Sequence, residues 1–464
     1  MKKLLFLAFT FLTFLIGAAQ DISGQWNGVL KVSGTQLRLV FNIIKTDNGY
    51  SSTMDSPDQG AKGIAVTKTT FESLVLKIEL TPMLIEYTGT FENNVFVGDF
   101  KQGGQSFPMN LSRETIEKET VVRLQEPLKP YSYYSEEVVF ENKKDAITLS
   151  GTLTMPAKDG NYPAVILITG SGPQNRDEEL LGHKPFLVLS DYLTKQGIAV
   201  LRYDDRGTGQ SKGDFKTATS LNFADDAEFA VEYLLTRKEI NKKKIGLIGH
   251  SEGGLIAPIV AARSKNVAFI VLLAGTGIPG GDLLLLQKEL IERASGVSEE
   301  EIKKGQENNK SAFQMITKST NNEQLNTDLS AYFRKQLKES PAAKPETLTE
   351  DEFINMELKQ VTSPWMQFFI KYDPSPVLKD VKCPVLALNG EKDLQVPPKV
   401  NLAAIKAGLE KGGNKRITVK ELPGLNHLFQ ECKTGSPDEY AKIEQTFSPI
   451  ALKEISDWIL IQVR

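Results

Sequence analysis

Residues 249–253, Gly-His-Ser-Glu-Gly, constrain the fold of this chain more than any other stretch. The apolar residues just before them predict a strand, and residues 254–262 predict a helix. A serine between a strand and a helix lies on a sharp turn that exposes its hydroxyl, and glycines on both sides let neighbouring backbones approach closely. We therefore interpret Ser251 as a nucleophile. The alternative is a Gly-rich turn with an ordinary N-capping serine.

Strand and helix patterns alternate from about residue 136 onwards, which predicts a mostly parallel sheet with helices on both faces. From about 278 to 366 helical patterns occur without a clear strand. So long an insert commonly forms a cap over a site; the alternative is a peripheral decoration. The predicted strands are 137–140, 147–155, 164–168, 198–203, 244–248, 267–274, 383–390 and 416–421. The predicted helices are 186–196, 220–237 (with Ser220 as its cap), 254–262, 283–294, 299–306, 328–338 and a last one from 449.

Residues 20–112 have the pattern of a small all-β domain. Short runs rich in β-branched and aromatic residues alternate with polar or Gly-rich turns such as 46–49 and 103–104. A barrel or a sandwich fits this pattern. We favour a packing or spacer role, and the alternative is a substrate-shaping or carbohydrate-binding module. Residues 113–135 predict a linker, which leaves 136–464 for a catalytic domain.

Residues 1–19 have the layout of a secretory signal peptide. A basic head at 2–3 precedes an apolar run at 4–16, and small residues follow at 17–19. We expect export to the periplasm or the exterior after removal of this segment, without stable membrane insertion. The alternative is a retained membrane anchor.

The composition excludes several classes of partner. A net charge of -3 gives no basis for nucleic-acid binding. Two cysteines, Cys383 and Cys432, make neither a disulfide framework nor a zinc site, and we favour two free thiols. The sequence implies no metal and no cofactor.

A serine hydroxyl needs a base to remove its proton, and the sequence offers three histidines. We assign this role to His427, which follows the last predicted strand and so lies at the carboxyl end of the sheet. His250, adjacent to the nucleophile, is expected to point elsewhere and to be structural, and His183 is expected to cap a helix or contact substrate. Asp393 is the predicted acid that orients the base, with Glu391 as its nearest competitor.

An oxyanion hole needs two backbone N–H groups. Glu252 supplies one by its position after the nucleophile, and the loop 169–173 is expected to supply the other. Ser171 is the preferred donor there, and Gly172 stays open as an alternative. Residues 204–211, rich in charge and glycine, are interpreted as a scaffold loop fixed by its own ion pairs.

These stretches, at 169–173, 202–211, 249–254 and 389–393, resemble the bacterial α/β-hydrolase superfamily, and most of all its exported esterase and serine-aminopeptidase-like branch. The resemblance implies an α/β-hydrolase fold over about 136–464 and a Ser-His-Asp triad that hydrolyses esters and occasionally amides. Thr169 is a departure, because many members have a histidine there.

We therefore expect a secreted serine esterase that works through an acyl-enzyme: Ser251 attacks, His427 moves the proton, Asp393 orients the imidazole, and the N–H groups of Ser171 and Glu252 hold the oxyanion. The expected partner is a small-molecule ester, with acylated carbohydrates as one candidate class. The alternatives are a serine peptidase or aminopeptidase acting on short peptides, and a non-catalytic glycan-binding protein of the same fold.

Overall fold

The computed structural model describes residues 21–32, 35–59, 61–102, 105–117, 123–340, 344 and 348–464. The predicted signal peptide and the predicted turn at 103–104 lie outside these residues. Backbone contacts divide the described chain into two compact units. The first comprises 21–32 and 36–117, and the second comprises the residues from 123 to the end.

The first unit is all-β, as the sequence predicted, and its nine strands form one sheet in the order β1-β2-β3-β5-β6-β7-β8-β9, with β4 paired to β3. Leu111 bridges to Phe96 of β8, and the next residue, Ser112, bridges to Asn27 of β1. These bridges close the sheet on itself, as in a barrel. The strands are β1 Gly24–Val32, β2 Thr35–Thr46, β3 Gly49–Ser56, β4 Ala61–Ala65, β5 Lys68–Glu72, β6 Val75–Leu80, β7 Ile85–Glu92, β8 Val95–Gln102 and β9 Gln105–Pro108.

Aromatic side chains fill the core of this first unit. Trp26 lies with its ring edge towards Phe96, with 4.5 Å between the ring centroids, and its indole nitrogen donates to the Ile22 carbonyl oxygen at 2.8 Å. Phe41 and Tyr87 are fully buried beside them. Alternate residues of each strand point inward, so short strands with period-two patterns suffice to build this core.

The second unit contains an eight-stranded sheet in the order β10-β11-β13-β12-β14-β15-β16-β17. The β10–β11 and β11–β13 pairs are antiparallel, and the remaining pairs are parallel. This is the predicted α/β-hydrolase architecture. The strands are β10 Tyr134–Asn142, β11 Ile147–Met155, β12 Tyr162–Ile168, β13 Ala199–Tyr203, β14 Ile240–His250, β15 Phe269–Leu273, β16 Val385–Gly390 and β17 Ile417–Leu422.

Helices cover both faces of this sheet and create two apolar clusters, one on each side. On α2 (Ser220–Thr236) the apolar residues at helical spacing are buried, and so is the apolar face of α11 (Pro449–Gln462). The helix α2 begins after Thr219, which forms a capping box with Asn222, so the prediction of Ser220 as the cap is wrong by one residue. The helices outside the insert are α1 Pro185–Lys195, α2 Ser220–Thr236, α3 Gly253–Arg263, α9 Ser375–Asp380, α10 Pro398–Lys411 and α11 Pro449–Gln462.

Between β15 and β16 the described chain is helical, as predicted for a cap. Three of its helices, α7, α8 and α9, were not predicted, and α5 continues to Lys318 instead of ending at residue 306. Side chains that accept backbone N–H groups start α5 to α8, namely those of Ser298, Asn321, Thr349 and Ser363. The cap helices are α4 Gly280–Ala294, α5 Glu299–Lys318, α6 Asn322–Glu339, α7 Glu350–Val361 and α8 Pro364–Lys371.

Both cysteines are free thiols, as the sequence analysis favoured. Within the described part of the chain, every helix is too short or too polar to span a bilayer.

Candidate active site

Ser251 lies on a strained turn between β14 and α3. Its φ angle is +54°, a left-handed value that is rare for a residue with a Cβ. The glycines around it are required by space: a Cβ on Gly249 would lie 1.9 Å from the Gly253 carbonyl oxygen, and one on Gly253 would lie 2.2 Å from that of Ile168. The chain therefore folds locally into the strand–turn–helix that the motif predicted.

Asp393 and His427 are in direct contact at the carboxyl end of the sheet. Nδ1 of His427 lies 2.8 Å from Oδ2 of Asp393, and both side chains are almost fully buried. The backbone N–H groups of Gln395 and Val396 each donate to the other carboxylate oxygen at 2.8 Å. Because a carboxylate only accepts, Nδ1 of His427 donates, and in the neutral imidazole Nε2 then keeps its lone pair.

Glu391, the competitor of Asp393 in the sequence analysis, does not contact the histidine. It is exposed, and its carboxylate accepts the backbone N–H of Gly424 at 2.8 Å. The distinction is geometric, because Asp393 lies in the turn after β16 with its side chain pointed inward.

A contact between the side chain of His250 and the main chain of His427 joins the loop of His427 to the nucleophile turn. Nε2 of His250 lies 3.0 Å from the carbonyl oxygen of His427, and the two imidazole centroids are 4.8 Å apart. Among the hydrogen bonds of the described residues there is none for the Ser251 hydroxyl or for Nε2 of His427. Such contacts are often long without substrate and tighten when it binds.

The loop after β12 lies against the nucleophile. A Cβ built on Gly170 would lie 3.3 Å from the Ser251 Cβ. The N–H of Gly170 is already used, because it donates to the Glu178 carboxylate at 2.7 Å. The N–H groups of Ser171, Gly172 and Glu252 have no acceptor within the described chain. Both candidates for the second oxyanion donor are therefore available on this loop.

Asp205 holds this loop at both ends. One carboxylate oxygen accepts the Thr169 hydroxyl at 2.7 Å, and the other accepts the backbone N–H of Gln174 at 2.9 Å. Burial raises the pKa of Asp205 well above its ordinary value, and these hydrogen bonds oppose the rise only in part. A carboxyl group thus braces the peptide from which the second oxyanion donor is expected.

The ion pairs of loop 204–211 differ from the prediction, which placed them within the loop. Asp204 pairs with Arg176 at 2.8 Å, and Arg206 pairs with Asp226 at 2.7 Å and with Asp145 at 2.8 Å. All of these partners lie outside the loop, which is therefore tied to three other segments of the domain.

His183 does not do what the sequence suggested. It is buried, and its ring nitrogens contact the Thr446 hydroxyl at 3.0 Å and the Tyr440 carbonyl oxygen at 2.9 Å. It therefore connects its loop to the C-terminal segment and is neither a helix cap nor a substrate contact.

For metals, the described residues contain no group of three or more His, Cys, Asp or Glu side chains able to bind an ion.

The cap reaches the nucleophile turn through Glu252. Its Oε1 accepts the indole N–H of Trp365, on α8, at 2.8 Å and the hydroxyl of Ser220, on α2, at 2.6 Å. Burial raises the pKa of Glu252, and these two hydrogen bonds act in the opposite direction. The residue whose N–H is expected in the oxyanion hole is thus held from both the cap and the sheet domain.

Comparison with known sequences adds the family. Residues 145–408, more than half of the chain, match the X-Pro dipeptidyl-peptidase (S15 family). The chain belongs to this family. The predicted α/β-hydrolase superfamily and fold are confirmed, and this S15 member is a hydrolase of that type. The predicted enzyme class, a carboxylic ester hydrolase, is supported by the relatives that follow.

Several relatives of this S15 chain are esterases or thioesterases. The esterase EstD of Thermotoga maritima is 28% identical over 332 residues, which cover 70% of this chain and 69% of that protein. Human acyl-coenzyme A thioesterase 1 is 28% identical over 155 residues, 33% of each chain. The solved esterase Pf2001 of Pyrococcus furiosus is 17% identical over 63% of this chain and 84% of its own, with a TM-score of 0.40.

Two residues of this S15 site were missed by the sequence analysis. Glu178 lies in a loop without a recognisable motif, and its φ of +50° gave no signal in the sequence. Trp365 belongs to a cap helix that was not predicted. The Ser-Pro at 363–364, an N-cap followed by Pro at the first helical position, is the signal that could have found that helix.

Proposed function

We propose that this protein hydrolyses carboxylic esters through Ser251, His427 and Asp393 with an acyl-enzyme intermediate. The observation that carries the proposal is the buried contact between His427 and Asp393 beside the strained turn of Ser251. The esterase EstD, similar over most of this chain, supports an ester as the substrate.

In the proposed mechanism Ser251 attacks the ester carbonyl while Nε2 of His427 takes the hydroxyl proton. Asp393 keeps Nδ1 protonated and stabilises the imidazolium that forms. The negative charge on the carbonyl oxygen is held by the N–H of Glu252 and by that of Ser171 or Gly172. His427 then protonates the leaving alcohol, and in the second stage it removes a proton from the water that cleaves the acyl-enzyme.

The first experiment combines Ser251→Ala with a fluorophosphonate probe. The wild type should be labelled at Ser251 and should hydrolyse p-nitrophenyl acetate, and S251A should lose at least about 10⁴-fold in kcat. The exposed position Glu300 provides the control, because E300Q should keep wild-type activity. An S251A variant with undiminished activity would overturn the role of Ser251. A wild type that is neither labelled nor active would overturn the proposal and favour a non-catalytic binding protein.

A serine peptidase is the second candidate, favoured by the name of the matched family. The same triad cleaves esters and amides, so the geometry of the nucleophile does not separate the two. Turnover of p-nitrophenyl esters should therefore be compared with that of X-Pro p-nitroanilides. Faster cleavage of the anilides would replace the esterase proposal by the peptidase.

Export and substrate class complete the proposal. The pattern of residues 1–19 supports secretion, and N-terminal sequencing of protein from the periplasm or the medium would test it.

Acylated carbohydrates are the proposed class of ester, to be tested with sugar acetates and feruloyl esters against simple esters of varied acyl length. Equal rates across this panel would count against a carbohydrate substrate.

A further inference from the structure

Glu178 and His250 link the two halves of the candidate site by consecutive hydrogen bonds. Oε1 of Glu178 accepts the backbone N–H of Gly170 at 2.7 Å and contacts Nδ1 of His250 at 2.9 Å. Nε2 of His250 then contacts the carbonyl oxygen of His427 at 3.0 Å. The path therefore runs from the loop with the second oxyanion donor to the main chain of the base.

The partners of His250 determine where its protons lie. The His427 carbonyl oxygen only accepts, so Nε2 of His250 must donate. A further proton lies between Nδ1 and the Glu178 carboxylate, either on the imidazole or on the acid. Burial lowers the pKa of His250, but the charge and hydrogen bond of Glu178, together with the His427 carbonyl and the charge of Asp393, raise it by more. This favours an imidazolium paired with a carboxylate.

The position of Glu178 is itself strained. Its φ of +50° lies in the left-handed region, where residues with a Cβ are held only by their surroundings. Its side chain is 5% exposed, and that of His250 is 8% exposed. A strained, buried carboxylate between two site segments needs an explanation beyond general packing.

We propose that Glu178 and His250 are positioning residues that hold the oxyanion loop and the His427 loop at a fixed separation across Ser251. The inference rests on the proposed function of that site. If the link is lost, Ser171 or Gly172 on one side and the imidazole of His427 on the other can shift independently. Misplacement of reacting groups by about 1 Å costs on the order of 100-fold in rate.

The link is tested by Glu178→Gln, which keeps the shape of the side chain but removes its charge. We expect kcat for p-nitrophenyl acetate to fall about 10- to 100-fold with KM changed less than about threefold, because the contacts to bound substrate remain. The matched control is E179Q at the next residue, whose carboxylate lies beside Asn175 and which should keep wild-type kcat. Rates are divided by the number of sites that the fluorophosphonate probe titrates, so loss of folded protein does not count.

Two substitutions of His250 separate the two bonds. In H250Q the amide nitrogen takes the place of Nε2 and can still donate to the His427 carbonyl, whereas in H250N it takes the place of Nδ1 and reaches only Glu178. Both should lower kcat, and E178Q combined with H250Q should cost no more than the larger single effect, because one link is broken either way.

The inference fails if E178Q keeps kcat per titrated site within about twofold of E179Q. It also fails if the double variant shows the full product of the single losses. Should E178Q not fold, H250Q and H250N decide, and wild-type kcat in both would overturn the proposal. Failure of the proposed function has a different signature, since S251A would then be as active as the wild type.

Discussion

Two histidine–carboxylate pairs lie side by side in this site, and they differ at a single nitrogen. In both pairs Nδ1 contacts a buried carboxylate, at 2.8 Å for His427 with Asp393 and at 2.9 Å for His250 with Glu178. The two rings are 4.8 Å apart. Nε2 of His250 is bonded to a carbonyl oxygen, whereas within the described chain Nε2 of His427 has no such partner.

The difference shows that a carboxylate partner does not by itself make a histidine a base. The carboxylate fixes the orientation of the ring in both pairs. A base must also present a nitrogen lone pair to the reacting proton, and a nitrogen that donates to a carbonyl oxygen has none to offer. His427 meets both requirements, and His250 meets only the first.

The largest effect expected from this comparison comes from the same substitution in both rings. His427→Gln removes the proposed base and should lower kcat at least about 10⁴-fold. His250→Gln disturbs only the position of neighbouring groups and should cost about 10- to 100-fold. Steady-state rates with p-nitrophenyl acetate, per folded protein, measure both.

Circular dichroism and thermal melting of both variants provide the control for folding. If folded H250Q loses as much activity as H427Q, the distinction between the two histidines is wrong, since His250 would then take part in proton transfer itself. Residual activity of H427Q within about tenfold of wild type would remove His427 from the mechanism.

The next test concerns Asp393, the carboxylate that contacts His427, and its neighbour Glu391. Asp393→Asn leaves an amide that can hold His427 in the wrong tautomer, and kcat should fall by roughly 10⁴-fold. Glu391→Gln makes the same kind of change two residues away, on an exposed side chain bonded to Gly424, and should leave kcat near the wild-type value. Equal losses in D393N and E391Q would contradict the assignment of the acid.

What the sequence predicted well depends on local spacing. The turn around Ser251 was predictable because its glycines and the flanking strand and helix are contiguous. Asp393 and His427 were predictable as candidates because each follows a strand of a parallel sheet, and the carboxyl ends of such strands meet at one edge. Their contact is a structural finding, while their catalytic role stays a prediction.

What the sequence did not predict depends on contacts between distant segments. Glu178 meets His250 from 72 positions away, and nothing in its neighbours marks it. Trp365 reaches Glu252 from 113 positions away, on the short helix Pro364–Lys371 that was not predicted. The wrong prediction of Ser220 as the N-cap has another cause. Thr219 and Ser220 are both good N-cap residues, and the helix begins after Thr219.

A smaller effect is expected on stability and concerns the His250 pair. The pKa of His250 in the native protein is raised above its usual 6.5. Below pH 6.5 the folded and unfolded states both bind the proton, so the stabilisation by the pair is fully present. As the pH rises further, the unfolded state loses its proton first, and this stabilisation disappears as the pH passes the raised native value.

Urea titrations between about pH 6 and about pH 9 give the unfolding free energies of wild type and H250Q, and their difference measures the stabilisation by the His250 pair. The difference should be largest at the acid end and should shrink towards the alkaline end. E178Q should reduce the same pH dependence, whereas E179Q should reproduce the wild type. A difference that grows with pH would mean that the native pKa of His250 is lowered, and the imidazolium would have to be abandoned.

The smallest expected effect concerns Glu252, a buried carboxylate whose hydrogen bonds come from other residues than histidine. Glu252 has two neutral donors on one oxygen, Trp365 from the cap and Ser220 from the sheet domain. Trp365→Phe keeps an aromatic ring against Phe369, whose centroid is 5.1 Å away, and removes only the N–H. Ser220→Ala removes the other donor. Each hydrogen bond contributes about 1–3 kcal/mol at most.

Since only Trp365 belongs to the cap, W365F should raise KM for esters with long acyl chains about three- to tenfold by loosening the cap. S220A should leave KM unchanged, although it removes a donor from the same oxygen. For p-nitrophenyl acetate, which has a small acyl group, neither variant should change kcat more than about threefold. Equal KM changes in the two variants would show that Glu252, and not the seating of the cap, governs substrate binding.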